Sequence, residues 1–347
     1  MQTETRTSIP PHLMSAAAEI LGTPVLSDAP ILAHGANNQV FRIETDSESF
    51  ILKFYLESLN DRRNRFRAET AALSFMNSSQ IKGVPKLVGC DDEHRIAIME
   101  YVPGSPIKDA SERSIDAAIH LISDLFAAGK INDAENLDVA SEACVAPIDL
   151  CTQIAERRRN IETAFNDHES LKNFVEQKFD PAFQRIEKVA RQQLAEAGIS
   201  LNTPLPRMNQ TLSPSDFGFH NAVDHDGKIT FLDFEYFGWD DPVRLVSDFL
   251  LHPGHDLDEN CKDAFLSKSS AIFSTGDKSF IPRLEALYPL VGLRWCMILL
   301  NEFLPERLAR RRAAGAIETT KLLLARQLKK SENLLFTLQK TEGVIPQ

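Results

Sequence analysis

Apolar residues along the chain change their spacing more than once. His12 to Leu21 carries them at helical intervals, with Pro24 just beyond, which predicts a short N-terminal helix. From Ile31 to Val102 the pattern turns into short runs rich in β-branched and aromatic residues: Val40 to Ile43, Phe50 to Phe54 and Arg95 to Tyr101. One helix interrupts them, predicted over about Arg62 to Asn77, with Phe66, Ala68, Ala72 and Phe75 as its apolar contribution. Pro103-Gly104-Ser105-Pro106 then punctuates the chain and reads as a linker. Beyond it, Ile107 to Gly198 is mostly helical by period, broken near Gly129 and around Pro147. Pro204 and Pro206 lead into a strand–loop–strand region from Arg207 to Phe237, where Asp224-His225-Asp226-Gly227 supplies a hairpin turn. From Asp241 onward the pattern is helical again. The expectation is an α+β chain of two lobes: a β-rich N-terminal lobe with one main helix over residues 1–102, a hinge over 103–106, and a larger, mostly helical lobe over 107–347.

Composition narrows the class. Among 347 residues, 43% are hydrophobic and 25% charged, as in an ordinary folded protein. Lys and Arg total 38 against 49 Asp and Glu, a net charge of −11, which argues against a nucleic-acid surface and fits cationic ligands weakly. Cys90, Cys144, Cys151, Cys261 and Cys296 are scattered and form no C-x-x-C pair, so a disulfide framework or structural zinc is not expected. His252 and His255 lack a further ligand set and read as loop residues. Met1 to Pro11 has no apolar core of a signal peptide, and no apolar run is expected to approach bilayer length. A soluble, cytoplasmic protein without membrane or nucleic-acid partners is the expectation.

Chemistry concentrates in one segment. Leu212 to Asn221 reads L-S-P-S-D-F-G-F-H-N, and Ile229 to Glu235 reads I-T-F-L-D-F-E. An Asp (Asp216), an Asn five residues later (Asn221) and an Asp at the end of the next hydrophobic run (Asp233) form a layout used in phosphoryl transfer. A carboxylate suits the task of holding an acceptor hydroxyl in line and relieving it of its proton. Magnesium ions on the phosphates need hard oxygen ligands, which Asn221 and Asp233 offer. No G-x-x-x-x-G-K-[ST] loop occurs, which excludes a P-loop kinase by motif.

The segment resembles the aminoglycoside phosphotransferase and choline kinase-like families of the protein-kinase-like fold, whose loop commonly reads H-G-D-x-x-x-x-N before a hydrophobic-Asp-aromatic strand. Gly238-Trp239-Asp240-Asp241-Pro242 followed by Asp248 is similar to the G-D-P…D stretch of these families, where the later Asp steadies the catalytic loop. Asp241 before Pro242 also makes sense by itself, as a helix cap before a first-turn proline. In the first lobe, His34 to Ile43 resembles the families' nucleotide loop, G-x-x-N-x-V-aromatic. The resemblance implies that Gly35 and Asn38 serve that loop, that Lys53 touches the α- and β-phosphates, and that Glu69 pairs with Lys53. It implies further that Glu100 and Val102, in Ile98 to Gly104, hold the adenine edge through their backbone. The expected substrates are ATP or another nucleoside triphosphate, with Mg2+, and a small-molecule hydroxyl. The resemblance covers about Ile31 to Asp248.

Two departures stand out. Pro214 occupies the place of the families' histidine, so Ser213 or Ser215 is expected to supply the lost hydrogen bonds. The phosphate loop lacks G-x-G-x-x-G, so the side chains of Asn37 and Asn38 are expected to supplement its backbone donors. Neither departure removes a carboxylate or the lysine, which favours an active enzyme over the alternative, a nucleotide-binding pseudokinase acting as scaffold or regulator. A protein kinase is disfavoured, because Asp216-Phe217-Gly218 precedes Asn221 and no A-P-E landmark follows. For the acceptor, Glu235 is expected to face the cleft by strand alternation. A helix predicted over Leu290 to Phe303, after Pro289, carries Arg294, Asn301 and Glu302, with Arg294 and Asn301 on one face. Arg294 in such a helix needs a partner, either Glu302 or Asp248 or a ligand anion. Sugars, amino sugars, amino alcohols and aminocyclitols all suit the chemistry. Arg310 to Arg312 reads as a solvated basic run.

Overall fold

Ser27–Ile31 (β1), Asn38–Glu44 (β2), Ser49–Tyr55 (β3), Leu87–Asp91 (β4) and Ile96–Glu100 (β5) form a five-stranded antiparallel sheet in the order β1-β2-β3-β5-β4. The structure, a computed structural model, describes residues 9–31, 38–56, 64–307 and 320–340. Pro11–Leu21 (α1) lays Leu13, Ala16 and Ala17 on the sheet, where they meet Phe41, Ile43, Leu52, Ile96 and Ile98 in one dry cluster. Arg65–Ser78 (α2) begins where the Asn64 side chain accepts from the Arg67 amide, satisfying one of the donors that a helix start leaves unpaired. The three strands and the helix anticipated from the sequence are all present. β1 and β4 are additional.

The chain divides into two compact units. The first comprises residues 1–108, 127–141 and 214–238; the second comprises 109–126, 142–213 and 239–347. In the first unit Ser105–Pro106 (β6), within the stretch expected to be a linker, pairs with Ala222–His225 (β8), which pairs in turn with Lys228–Phe231 (β9). The β8–β9 turn is the expected one. Asp226 (φ 50°) and Gly227 (φ 84°) both lie in the left-handed region, and the Asp224 carboxylate accepts from the Gly227 amide at 2.9 Å.

Helices Glu112–Ala128 (α3), Pro147–Glu162 (α4), Glu169–Phe174 (α5), Asp180–Glu196 (α6), Pro242–Leu251 (α7), Glu259–Phe273 (α8), Phe280–Leu299 (α9) and Thr320–Lys340 (α10) make up most of the remainder. In the second unit, Thr211–Ser213 (β7) pairs with a short strand at Gly238–Asp240 (β10). α7 starts as anticipated, with the Asp241 carboxylate accepting from Val243 N at 2.9 Å and Pro242 in the first turn.

α9 is the axis of this unit, packed against α4, α6, α7 and α10. It corrects two expectations. It starts at Phe280, not after Pro289, and carries that proline inside it. Together with the 3₁₀ turn that follows, Phe280–Phe303 is also long and apolar enough to cross a membrane, contrary to the reading that no run approaches that length. Its apolar character has a packing cause, because 83% of the most apolar stretch is buried.

Candidate functional site

Lys53 and Tyr55 sit two apart on β3 and so face the same side, opposite Leu52, which faces the apolar cluster. Glu69, on the second turn of α2, is 1% exposed and meets them both. Lys53 Nζ lies 2.6 Å from Glu69 Oε2, and the Tyr55 hydroxyl donates to the same oxygen at 2.6 Å. A buried carboxylate with two such donors is held in one place. Burial alone would lower the pKa of Lys53; Asp233, Glu69 and Glu235 outweigh it and raise that pKa well above the ordinary value. Burial and the charge of Glu69 likewise push the Tyr55 phenol up.

The polar loop lies in the same unit. Its first feature is a one-residue turn: Asp216 N donates to Pro214 O at 2.9 Å, with Ser215 between them at φ 71°. The Ser215 hydroxyl donates to Ser141 O at 3.3 Å. Asn221 Nδ2 donates to Asp216 O at 3.0 Å, and Leu232 N donates to Asn221 O at 2.8 Å, fastening the loop to the chain after β9. Phe217 and Phe219 both pack on Phe231, with ring centroids 5.0 and 6.4 Å away. The loop is therefore pinned by aromatic rings on one side while Asp216 remains 36% exposed. His220, which the sequence reading passed over, places Nε2 3.1 Å from Asp216 Oδ1. No periodic signal marked it, because residues 215–218 are not helical.

The chain then reverses at Asp233, where φ is 66°. Asp233 Oδ1 lies 2.7 Å from Lys53 Nζ, and the next amide, Phe234 N, donates to Glu69 Oε1 at 3.1 Å. Glu69 thus joins α2, β3 and the segment after β9. The alternation argument for Glu235 does not hold, because residues 232–237 are not strand. Glu235 is 5% exposed, 3.4 Å from Lys53 Nζ and 3.6 Å from Arg65 Nε, and it accepts from Asn38 Nδ2. Burial, then the charge of Asp233, raises its pKa. Asn38, expected among the phosphate donors, bonds to Glu235 in this arrangement. Gly35 and Asn37 lie outside the described residues.

Glu69, Asp233 and Glu235 offer carboxylate oxygens within 4.8 Å of one another. This hard-oxygen set fits magnesium, with Asp233 its most open member at 39% exposed. Asn221 commits its amide nitrogen to Asp216 O, so its oxygen is the atom it could offer a metal. Glu100 closes β5, and its amide donates to Lys86 O at 2.9 Å; Val102 follows in the irregular segment before β6.

The remaining candidates belong to the second unit. Arg294, 4% exposed, donates to Gln153 Oε1 at 2.9 Å and Glu142 Oε2 at 3.0 Å, and lies 3.3 Å from Asp248 Oδ1. Of the two carboxylates considered for it, Asp248 is a partner, and Glu142 is an unforeseen one. Asp248 also accepts from Arg244 Nε at 3.1 Å and Trp295 Nε1 at 2.8 Å. Asn301 and Glu302 fall in the 3₁₀ turn Leu300–Phe303, so the helical phase that put Arg294 and Asn301 on one face does not carry through. The Arg310 to Arg312 run lies outside the described residues.

Comparison with known proteins bears on the fold and on the family. A search of curated proteins by sequence yields no significant match. Among solved structures, choline kinase LicA from Streptococcus pneumoniae is 14% identical with a TM-score of 0.58, covering 94% of this chain and 99% of its own. A choline/ethanolamine kinase family protein from Mesorhizobium loti is 15% identical with a TM-score of 0.57, covering 95% and 96%. Spectinomycin phosphotransferase, solved with ADP and spectinomycin, is 11% identical with a TM-score of 0.57, covering 96% and 98%. At these identities the likeness fixes the fold, a protein-kinase-like one. The sequence itself matches the model of the phosphotransferase enzyme family over residues 28–270, a span holding Lys53, Glu69, Asp216, Asn221 and Asp233 in order, and the chain therefore belongs to that family.

Proposed function

We propose that the protein transfers the γ-phosphate of ATP, or another nucleoside triphosphate, to a hydroxyl of a small metabolite such as a sugar, amino sugar or amino alcohol. The observation that carries this reading is the cluster in the first unit, where one lysine meets Glu69 and Asp233 while the loop presents Asp216. Lys53 would hold the α- and β-phosphates, its ammonium fixed by Glu69, and Glu69 by Tyr55. The Glu100 carbonyl and the Val102 amide would take the adenine edge, since the Glu100 amide is already bonded to Lys86. Asp233 and Asn221 would hold magnesium, which would supply positive charge against that of the phosphates. Asp216 orients the acceptor hydroxyl. As the acceptor oxygen bonds to the γ-phosphorus and the bridging P–O bond breaks, the hydroxyl proton passes to the Asp216 carboxylate. Positioning and electrostatics supply most of the rate.

The test is a nucleotide-consumption assay over a panel of hydroxylated metabolites with magnesium ATP, run on the wild type and on Asp216→Asn. Asp216→Asn should lower turnover by about 10²-fold or more, the scale of a lost general base, with nucleotide affinity unchanged. Turnover undiminished in that variant sinks the assignment. Nucleotide binding without turnover across the panel would instead favour a pseudokinase.

A further inference from the structure

We propose that His220 is a positioning residue for Asp216, a role that rests on the reading of Asp216 as the carboxylate facing the acceptor hydroxyl. A carboxylate in that role has two demands on it. One oxygen must point at the acceptor, and the group must stay ionised until the proton arrives. Three contacts meet those demands. The one-residue turn at Ser215 fixes the Asp216 amide against Pro214 O, and Asn221 Nδ2 fixes its carbonyl at 3.0 Å. Those two hold the backbone. The third, His220 Nε2 at 3.1 Å from Oδ1, holds the carboxylate itself.

The direction of that hydrogen bond follows from chemistry. A carboxylate oxygen only accepts, so Nε2 must carry the proton, whether the imidazole is neutral or cationic. A donated bond favours the charged carboxylate, which suits a base that is needed ionised. It engages Oδ1, and the acceptor hydroxyl is assigned to Oδ2. During transfer the acceptor oxygen gains the phosphoryl group, the nucleoside diphosphate leaves with the electron pair of the broken P–O bond, and the hydroxyl proton moves to Oδ2. His220 keeps its own proton throughout and gives none to substrate. Its ring is set by its neighbours: the 3₁₀ turn Phe219–Asn221 is held by Phe219, 1% exposed, against Phe231, and His220 itself is 19% exposed.

The experiment compares His220→Ala, His220→Gln and Asp216→Asn in the full chain. Magnesium ATP is the probe, water and the acceptor panel serve as acceptors, and ATP affinity is measured by calorimetry. Gln carries an amide N–H near the place of Nε2, so it should retain most of kcat. Ala should lose about 10- to 100-fold in kcat, the range seen when a partner that orients a reacting group is removed. Neither change should move ATP affinity, which a merely structural role for His220 would not leave intact. Long-range proton–nitrogen correlation on histidine-labelled protein, with the signal assigned by its loss in His220→Gln, should show the Nε2-protonated tautomer. A proton on Nδ1 alone overturns the proposal. So does His220→Ala turning over at the wild-type rate while Asp216→Asn is inactive, or Gln failing to exceed Ala. Full turnover in Asp216→Asn would refute the base assignment instead, with the tautomer still reporting on the contact.

Discussion

Replacing Ser215 tests how the candidate loop is built, because an L-residue occupies a place that favours glycine. Families that this loop resembles carry H-G-D where this chain has Pro214-Ser215-Asp216. Ser215 sits at φ 71° inside a one-residue turn closed by Asp216 N to Pro214 O at 2.9 Å. A Cβ in left-handed backbone costs about 1–2 kcal/mol. The bond from its hydroxyl to Ser141 O, at 3.3 Å, returns about 0.5–1.5 kcal/mol. Glycine would remove the strain, lose the bond, and add about 0.4–1 kcal/mol of unfolded-chain entropy to be overcome. Those contributions nearly cancel, so Ser215→Gly should match the wild type within about 1 kcal/mol. Alanine keeps the strain and loses the bond, and should be about 1 kcal/mol less stable. Urea denaturation of the three proteins gives the order, serine and glycine together and alanine below them. Turnover should fall in that order too, since the turn aims Asp216. Alanine as stable as serine, with glycine alone destabilised, would refute the reasoning, for the strain would then be absent.

Two further predictions concern other parts of the molecule. Glu142 is held at a pKa of about 2, against an ordinary 4.5, by Arg157, Arg294 and Arg244, which outweigh a burial effect of the opposite sign. A depressed carboxylate stabilises the fold above its unfolded pKa and ceases to do so as pH falls through the folded value. Wild type should therefore exceed Glu142→Gln in urea denaturation above about pH 5, and the gap should close towards about pH 2, whereas a constant gap would deny the charge its part. Gly238→Ala should destabilise by about 1–3 kcal/mol, measured the same way, because a Cβ there would stand 2.4 Å from Ala140 N and 2.5 Å from Asp138 O, backbone atoms that cannot step aside.

How far the sequence could be read depended on whether the information was local. The Asp226-Gly227 turn was legible because turn chemistry acts over a few residues, whereas Lys53 and Glu69 were picked out by the resemblance to the phosphotransferase families, whose motifs are short and contiguous. β4 was not: Leu87 and Gly89 are half-buried while Val88 and Cys90 are exposed, and a glycine in mid-run dilutes the signal. Pro289 was misjudged for a related reason. Proline usually opens or breaks a helix, yet at this position burial on every side of α9 outweighs one missing amide bond. Glu142 could not be found at all, since it lies 152 positions from Arg294, at φ 56° in a loop with no period.

The carboxylates around Lys53 show where local reading stops and what replaces it. The family resemblance implies Glu69 as the partner of Lys53, and the motif layout gives Asp233 to the metal. In the folded chain both of those oxygens lie within 2.7 Å of the same ammonium, and Glu235 stands at 3.4 Å. Lys53 and Arg65, the latter 3.6 Å from Glu235, face three carboxylates; these raise the pKa of Lys53 against burial, while burial and then the charge of Asp233 raise that of Glu235. The remaining excess of negative charge is of the sign that a divalent cation would correct, and Asp233 is the most open of the three carboxylates. Tyr55 and the Phe234 amide hold the two oxygens of Glu69. The hydrogen bonds that hold Glu69 in place are made across 14 and 165 positions of sequence, and no pattern within either motif contains them.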